Sequence, residues 1–289
     1  EAGQKVGYIK VTQFGDETYA KFHNAVNNLE NMGMDSLVID LRDNGGGHLV
    51  TVRDMLRVFL VDDGTAMFST EYYIGGEQGT NEYFAVNTER KEYNVVTIIN
   101  GNSASASEVF ASAMQEHGGY PVLGVQSFGK GTMQTDSAIV ATIGDSLHLT
   151  IGKWITADGG WVHYDGGTDG VIPDIIVDRT EIELAYTIYL MNEDIILYDT
   201  VDERVANIQI ILNMMGHDVR TDGYFDDMTK EAVEDIQSTN TLPVTGNIDK
   251  NTLAIINAAL QDYVLDAVND TQLQAAITYA IAHPEDPNE

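Results

Sequence analysis

Short apolar runs bounded by glycine and polar clusters dominate the first 180 residues. Ser36-Leu-Val-Ile-Asp-Leu41, Val95-Val-Thr-Ile-Ile99 and Pro121-Val-Leu-Gly-Val125 are nearly continuous in apolar character, the pattern of strands buried on both faces. Val6 to Thr12 alternates and reads as a further strand. Between these runs the period changes to that of a helix. Asp16 is placed to cap a helix with Tyr19, Phe22, Val26 and Leu29 on its apolar face, ending at Gly33. A second helix follows Gly47 with Val50, Met55, Leu56 and Phe59 inward, and a third spans about 105 to 116. Residues 65–90 are strand-like and broken by glycine, Met133 to Ile155 reads as a hairpin turning at Gly144-Asp145, and 157–170 is a loop holding five glycines. Alternating buried strands and helices predict an α/β core.

Near residue 180 the pattern turns helical, and a short repeat appears. Asp222-Gly-Tyr-Phe-Asp-Asp-Met-Thr229 is echoed 23 residues later by Thr245-Gly-Asn-Ile-Asp-Lys-Asn-Thr252. In each copy glycine makes a turn, an apolar residue (Phe225, Ile248) points inward, and Asp followed by Thr opens a helix. Ala232, Val233, Ile236 and then Leu253, Ile256, Leu260 supply the apolar faces. The expected organisation is a core over 1–180, a linker or helix over 181–201, a small all-α module over 202–262, and a last helix and tail over 263–289. That helix runs from Thr271 to Ala282, and the acidic, proline-containing tail is expected to fray.

Composition narrows the function classes. At 289 residues with 43% hydrophobic and 8% aromatic content, two domains fit and wholesale disorder does not. The net charge of −30, divided as −13 over 1–180 and −17 over 181–289, argues against a nucleic-acid partner, because phosphate binding needs clustered Lys and Arg. There is no cysteine, so disulfides, thiolate chemistry and cysteine-ligated metal are excluded. No run approaches 18 apolar residues, and no signal peptide opens the chain. The opening residues lead directly into a strand, and the expectation is a fragment whose N-terminal targeting region has been removed.

Candidate chemistry lies between Asn100 and Gln134. Asn100-Gly-Asn-Ser-Ala-Ser-Ala-Ser-Glu108 sets Ser103, Ser105 and Ser107 where a strand turns into a helix, and all three are candidate nucleophiles. A helix N-terminus offers free N–H groups and positive dipole to a developing oxyanion. Ser105-Ala-Ser-Glu108 equally fits a capping box with no chemistry. Ser127-Phe-Gly-Lys-Gly-Thr-Met-Gln134 offers Lys130 between two glycines. It reads either as a surface lysine in a turn or as a base, which must be neutral although a free lysine titrates at ~10.4; burial lowers that value. Gln134 could accept a hydrogen bond from the amine and orient it. Arg42-Asp-Asn-Gly-Gly-Gly47 also suits a phosphate cradle, but no Gly-Lys-Ser/Thr follows it. His48 and His163 lie nearest these motifs and read as polar loop residues. Without Gly-x-Ser-x-Gly or His-Glu-x-x-His, a histidine triad or a zinc site is not indicated.

Taken together, Asn-x-x-Ser-Ala-Ser-Ala-Ser-Glu, Phe-Gly-Lys-Gly-Thr-x-Gln, Asp-Leu-Arg-x-Asn-x-Gly-Gly, Gly7-Tyr-Ile and Gly170-Val-Ile-Pro-Asp174 resemble the blocks of the carboxyl-terminal processing peptidases (tail-specific proteases, family S41), in that family's order over about residues 6–178. The resemblance implies a core similar to the ClpP/crotonase fold and a serine–lysine dyad working through an acyl-enzyme. Ser105 would be the nucleophile, Lys130, 25 residues on, the base, and Gln134 its orienting partner. It makes the glycine turn an oxyanion loop, with Gly45 or Gly46 joining Ala106. It implies substrates cut near apolar C-termini, with no metal or organic cofactor. Family members carry a PDZ domain before the Gly-Tyr-Ile strand, which is not in this sequence.

Ile208-Gln-x-x-Leu212, Gly216, Asp222-Gly-x-Phe225, Thr229, Ala232-Val233, Gln237, Leu242 and Thr245-Gly-x-Ile-Asp-x-x-Thr252 resemble peptidoglycan-binding domains, departing where Ile236 stands for the usual Phe. This second resemblance implies a cell-wall partner and, with the first, a bacterial envelope location outside the cytoplasmic membrane. The alternative reading is a non-catalytic cell-wall-binding scaffold. Neither resemblance implies an oligomeric state.

Overall fold

Two adjacent strands in which every residue is buried, β2 (Ser36–Asp40) and β5 (Asn94–Ile99), form the middle of the first unit. The computed structural model describes residues 3–140, 145–191 and 194–284. It divides into two units, residues up to Asp178 with those from Ala275 onward, and Arg179–Gln274.

In the first unit five strands lie in the order β1-β2-β5-β6-β9, all parallel, with β1 at Val6–Lys10, β6 at Val122–Gly124 and β9 at Ile175–Ile176. Register pairs Ile9 with Ile39, Val38 with Val96, and Thr97 with Val122. Leu37, Ile39, Val95 and Ile99 join one core with Phe22 and Val26 of α1 (Thr18–Asn31), Val52 and Met55 of α2 (Leu49–Leu56), and Val109 and Phe110 of α3 (Ala106–Ser112). Val38, Val96 and Ile98 alternate with these, so they point to the opposite face, where they are equally buried. Apolar residues on both faces are what a parallel sheet requires.

Four antiparallel strands form a second sheet, β4-β3-β8-β7, from β3 (Ala66–Ile74), β4 (Glu77–Phe84), β7 (Thr132–Val140) and β8 (Asp145–Thr156). β7 and β8 are the expected hairpin; of its expected turn, Asp145 opens β8 and Gly144 lies outside the described residues.

Helix boundaries shift by small amounts. The cap of α1 is Glu17, not Asp16, and Tyr19 is 37% exposed. Because α2 starts at Leu49 with His48 as its cap, Thr51, Val52, Met55 and Leu56 share the inward face and Val50 is turned out to solvent. Phe59 is buried as expected, but beyond the last turn of α2. α3 ends at Ser112 and continues as a widened π-type turn, Ala113–His117.

The second unit holds α4 (Glu181–Leu184), α5 (Glu203–Met214), α6 (Asp227–Thr239) and α7 (Lys250–Leu265). Ile188, Leu190 and Ile196, which precede α5, join a core with Val205, Ile208, Phe225, Val233, Ile248 and Ile256. The repeat is visible as chemistry. Asp226 accepts from the N–H and hydroxyl of Thr229, and Asp249 does the same for Thr252, all at 2.8–2.9 Å. The Thr252 N–H, outweighing desolvation and joined by the Thr252 hydroxyl, holds the Asp249 carboxyl below the usual carboxylate range. A buried glutamine grips each turn: Gln209 binds Gly223 N–H, Tyr224 O and Thr229, and Gln237 binds Gly246 N–H, Asn247 O and Thr252.

The last helix, α8 (Thr271–Ala282), belongs to the first unit from Ala275 onward. There Ala280 O accepts from Ser36 Oγ at 2.9 Å, and Pro284 O accepts from Asn94 N–H at 3.0 Å. The chain is therefore tied to the starts of β2 and β5 as far as Pro284, where fraying was expected; the final acidic residues lie outside the described ones.

Candidate active site

In a parallel sheet, neighbouring strands end on the same side. The loops after β2, β5 and β6 therefore emerge together, although about 25 to 85 residues separate them in the chain, and the C-terminal edge of such a sheet is where ligand clefts form. A cleft of about 500 Å³ lies there, lined by Gly45, His48 and Leu49, by Ser105, by Lys130, Met133 and Gln134, and by Ile151 and Trp154.

Ser105 is the residue before α3, with φ 56° and ψ −114°. Positive φ is uncommon outside glycine and marks a backbone overdetermined by its surroundings. The surroundings are close: a Cβ added at Gly46 would lie 2.8 Å from Ala104 O and 3.0 Å from both Ala106 N and Ser105 Cβ. Only glycine lets the loop after β2 approach the serine so nearly. The other candidate serines are fully buried and serve the scaffold. Ser103 Oγ donates to Leu41 O at 2.9 Å, and Ser107 Oγ donates to Asn44 O at 2.8 Å.

The glycine loop is braced from beneath. Asp40 and Arg42 pair through Nε and Nη2 at 2.9 and 2.7 Å, and Asp40 also accepts from Tyr8. Asp43, at φ 63°, accepts from Asn100 and Asn102 and donates its own N–H to Asn100 Oδ1. Asn44 donates to Val11 O and accepts the Gly46 N–H at 2.9 Å. The Gly46 N–H is thus engaged. Ala106 is the first residue of α3, where helix N–H groups have no intrahelical partner.

Glu108 joins the Ser105 segment to the lysine segment. Its carboxylate is fully buried and accepts from Ser105 N–H at 2.7 Å, Ser127 Oγ at 2.6 Å, Gly129 N–H at 2.6 Å and Lys130 N–H at 2.8 Å. Ser127 Oγ in turn accepts Val171 N–H at 2.7 Å, which ties in the Gly170-to-Asp174 block. Sequence reasoning identified Glu108 only as a capping-box partner. That arm of the box is formed, but three of its four bonds go to residues 19 to 22 positions away.

Lys130 and Gln134 line the same cleft as Ser105. Among the described residues, the Lys130 amine has no carboxylate within ion-pair distance. Gln134 Nε2 donates to Thr132 Oγ1 at 3.3 Å. His48 is exposed, 3.7 Å from Asp16, and His163 Nδ1 accepts Gly131 N–H at 3.3 Å. Both histidines occupy loops, as the sequence suggested. No group of three or more acidic or histidine side chains suited to a metal occurs among the described residues.

Comparison with known proteins gives two family matches: residues 5–177 with the family described as peptidase family S41, and residues 201–256 with the one described as a putative peptidoglycan binding domain. The carboxy-terminal processing protease CtpB of Bacillus subtilis is 36% identical over 276 residues, covering 95% of this chain and 55% of that protein. Carboxy-terminal processing protease CtpA of the same organism is 30% identical, covering 94% and 55%. The chain thus spans about half the length of these relatives. A solved photosystem II D1 C-terminal processing protease is 28% identical over 61% of this chain and 43% of its own, with a TM-score of 0.48.

Proposed function

Because the chain belongs to peptidase family S41, we propose that it hydrolyses peptide bonds near protein C-termini through a Ser105–Lys130 dyad. Ser105 Oγ attacks the scissile carbonyl while the neutral Lys130 amine takes its proton. The tetrahedral intermediate collapses to an acyl-enzyme as the lysine returns that proton to the leaving amine, and water, deprotonated by the same lysine, releases the acid. Gln134 donates from Nε2 to Thr132, so its Oε1 is the atom that orients the lysine. The oxyanion is held by the N–H groups of Gly45 and Ala106. Gly45 is preferred over Gly46 because the Gly46 N–H already belongs to Asn44 and Gly45 lines the cleft.

The observation that carries this reading is the convergence of Ser105, Lys130, Gln134 and Gly45 on one cleft from three loops and the start of β7. Leu49, Met133, Ile151 and Trp154 around it support an apolar substrate tail. A serine-directed phosphonate tests it: wild type is labelled at Ser105, Ser105→Ala is not, and equal labelling of the two sinks the assignment.

We further propose that the second unit binds peptidoglycan and that the protein works in the bacterial envelope outside the cytoplasmic membrane. The family match over residues 201–256 supports this. Retention of the protein on purified cell walls is the expected result, and free passage through them would rule the binding out.

A further inference from the structure

The backbone at Lys130 and Gly131 is held by contacts besides those of Glu108, and both tryptophans of the chain take part. Trp154, fully buried, donates its indole N–H to Lys130 O at 3.0 Å and its backbone N–H to Gly131 O at 3.1 Å. Trp161 donates its indole N–H to Gly131 O at 2.9 Å. The N–H of that same glycine goes to His163 Nδ1 at 3.3 Å. The Trp161 and His163 rings stack with centroids 4.5 Å apart, so they form one plate that holds both polar atoms of Gly131. A Cβ at Gly131 would overlap Trp161 Nε1 and Val162 O, so only glycine allows the plate this close.

These contacts matter because a lysine base has a long, flexible side chain. Its amine reaches the serine only if the backbone at its root is fixed, and displacement of a catalytic group by about 1 Å costs on the order of 100-fold in rate. Glu108 fixes the N–H side of Lys130, and Trp154 fixes its carbonyl. We propose that Trp161 and His163 are positioning residues for Lys130, aiming its amine at Ser105 by clamping both backbone polar atoms of the following residue, Gly131, without touching substrate. The inference rests on Lys130 being the base.

The test uses the full chain and a peptide ending in small apolar residues. Trp161→Phe keeps the ring stack and removes the donor, and His163→Leu removes the acceptor. Each is expected to lower kcat about 10-fold, the upper range for one lost hydrogen bond, with KM unchanged. His163→Asn, whose Oδ1 can take the Gly131 N–H, is expected to restore most of kcat, a rescue that a purely structural ring would not show. Wild-type kcat in both Trp161→Phe and His163→Leu overturns the proposal. So does a loss confined to KM, or His163→Asn falling as far as His163→Leu. Lys130→Ala, run alongside, separates the two readings. If it is inactive while Trp161→Phe and His163→Leu remain wild type, the positioning role alone fails. If Lys130→Ala is active, the base assignment fails and takes the positioning role with it.

Discussion

Lys130→Arg is expected to be as inactive as Lys130→Ala, each lowering kcat on a peptide with an apolar C-terminus by on the order of 10²–10⁴-fold. The arginine variant is the sharper of the two. Arginine keeps the positive charge and much of the length of lysine but does not give up its proton in proteins. A residue that only stabilised negative charge would tolerate the exchange, whereas a base would not. No carboxylate pairs with the amine among the described residues, and the buried carboxylate nearby, Glu108, binds the Lys130 backbone. Thermal melting of both variants should stay close to wild type, because the side chain lines an open cleft. Substantial turnover by Lys130→Arg would exclude proton transfer by this residue.

Glu108→Ala is expected to lose both stability and activity. It strands the N–H groups of Ser105, Gly129 and Lys130 and the hydroxyl of Ser127 around a fully buried side-chain position. A buried donor left without an acceptor costs about 1–3 kcal/mol. With partial relaxation, and with Ser127 still bonded to Val171 N–H, a loss of about 3–5 kcal/mol is expected by chemical denaturation. Glu108→Gln separates the two effects. It keeps the volume but turns an amide NH₂ toward N–H donors, so one side of the bridge is lost while the packing survives. Stability should fall less than in Glu108→Ala, while kcat should still drop by on the order of 100-fold, as expected when nucleophile and base shift by about 1 Å. Full activity in Glu108→Gln would show that the bridge does not set the distance between Ser105 and Lys130.

Most of what could be read along the chain was local. The buried strands at Ser36–Asp40 and Asn94–Ile99, and the helices with Phe22, Val26, Val233 and Ile256 inward, follow from apolar periodicity alone. The repeated Asp-x-x-Thr caps at Asp226 and Asp249 were visible because both partners lie within four residues. Val50 was misplaced because a helix face depends on where the helix starts, and the cap at His48 carries no strong capping signal. The role of α8 could not be read at all. Its tie to β2 and β5 joins positions about 190 to 244 residues apart, and an apolar helix face does not state which surface it will meet.

The sequence by itself determined which residue types stand at the ends of strands: serines where β5 turns into α3, a glycine run after β2, and a lysine between glycines after β6. Tertiary structure decided what each one contacts. It engaged Ser103 and Ser107 in the scaffold and left Ser105 facing the cleft, gave the Gly46 N–H to Asn44, and made a capping glutamate the bridge between two loops. It also set both tryptophans against the carbonyls around Lys130. The physical reason is the strand order. Periodicity shows that a strand is buried but not which strand lies beside it, and only the parallel order β2-β5-β6 brings these three loops to one edge.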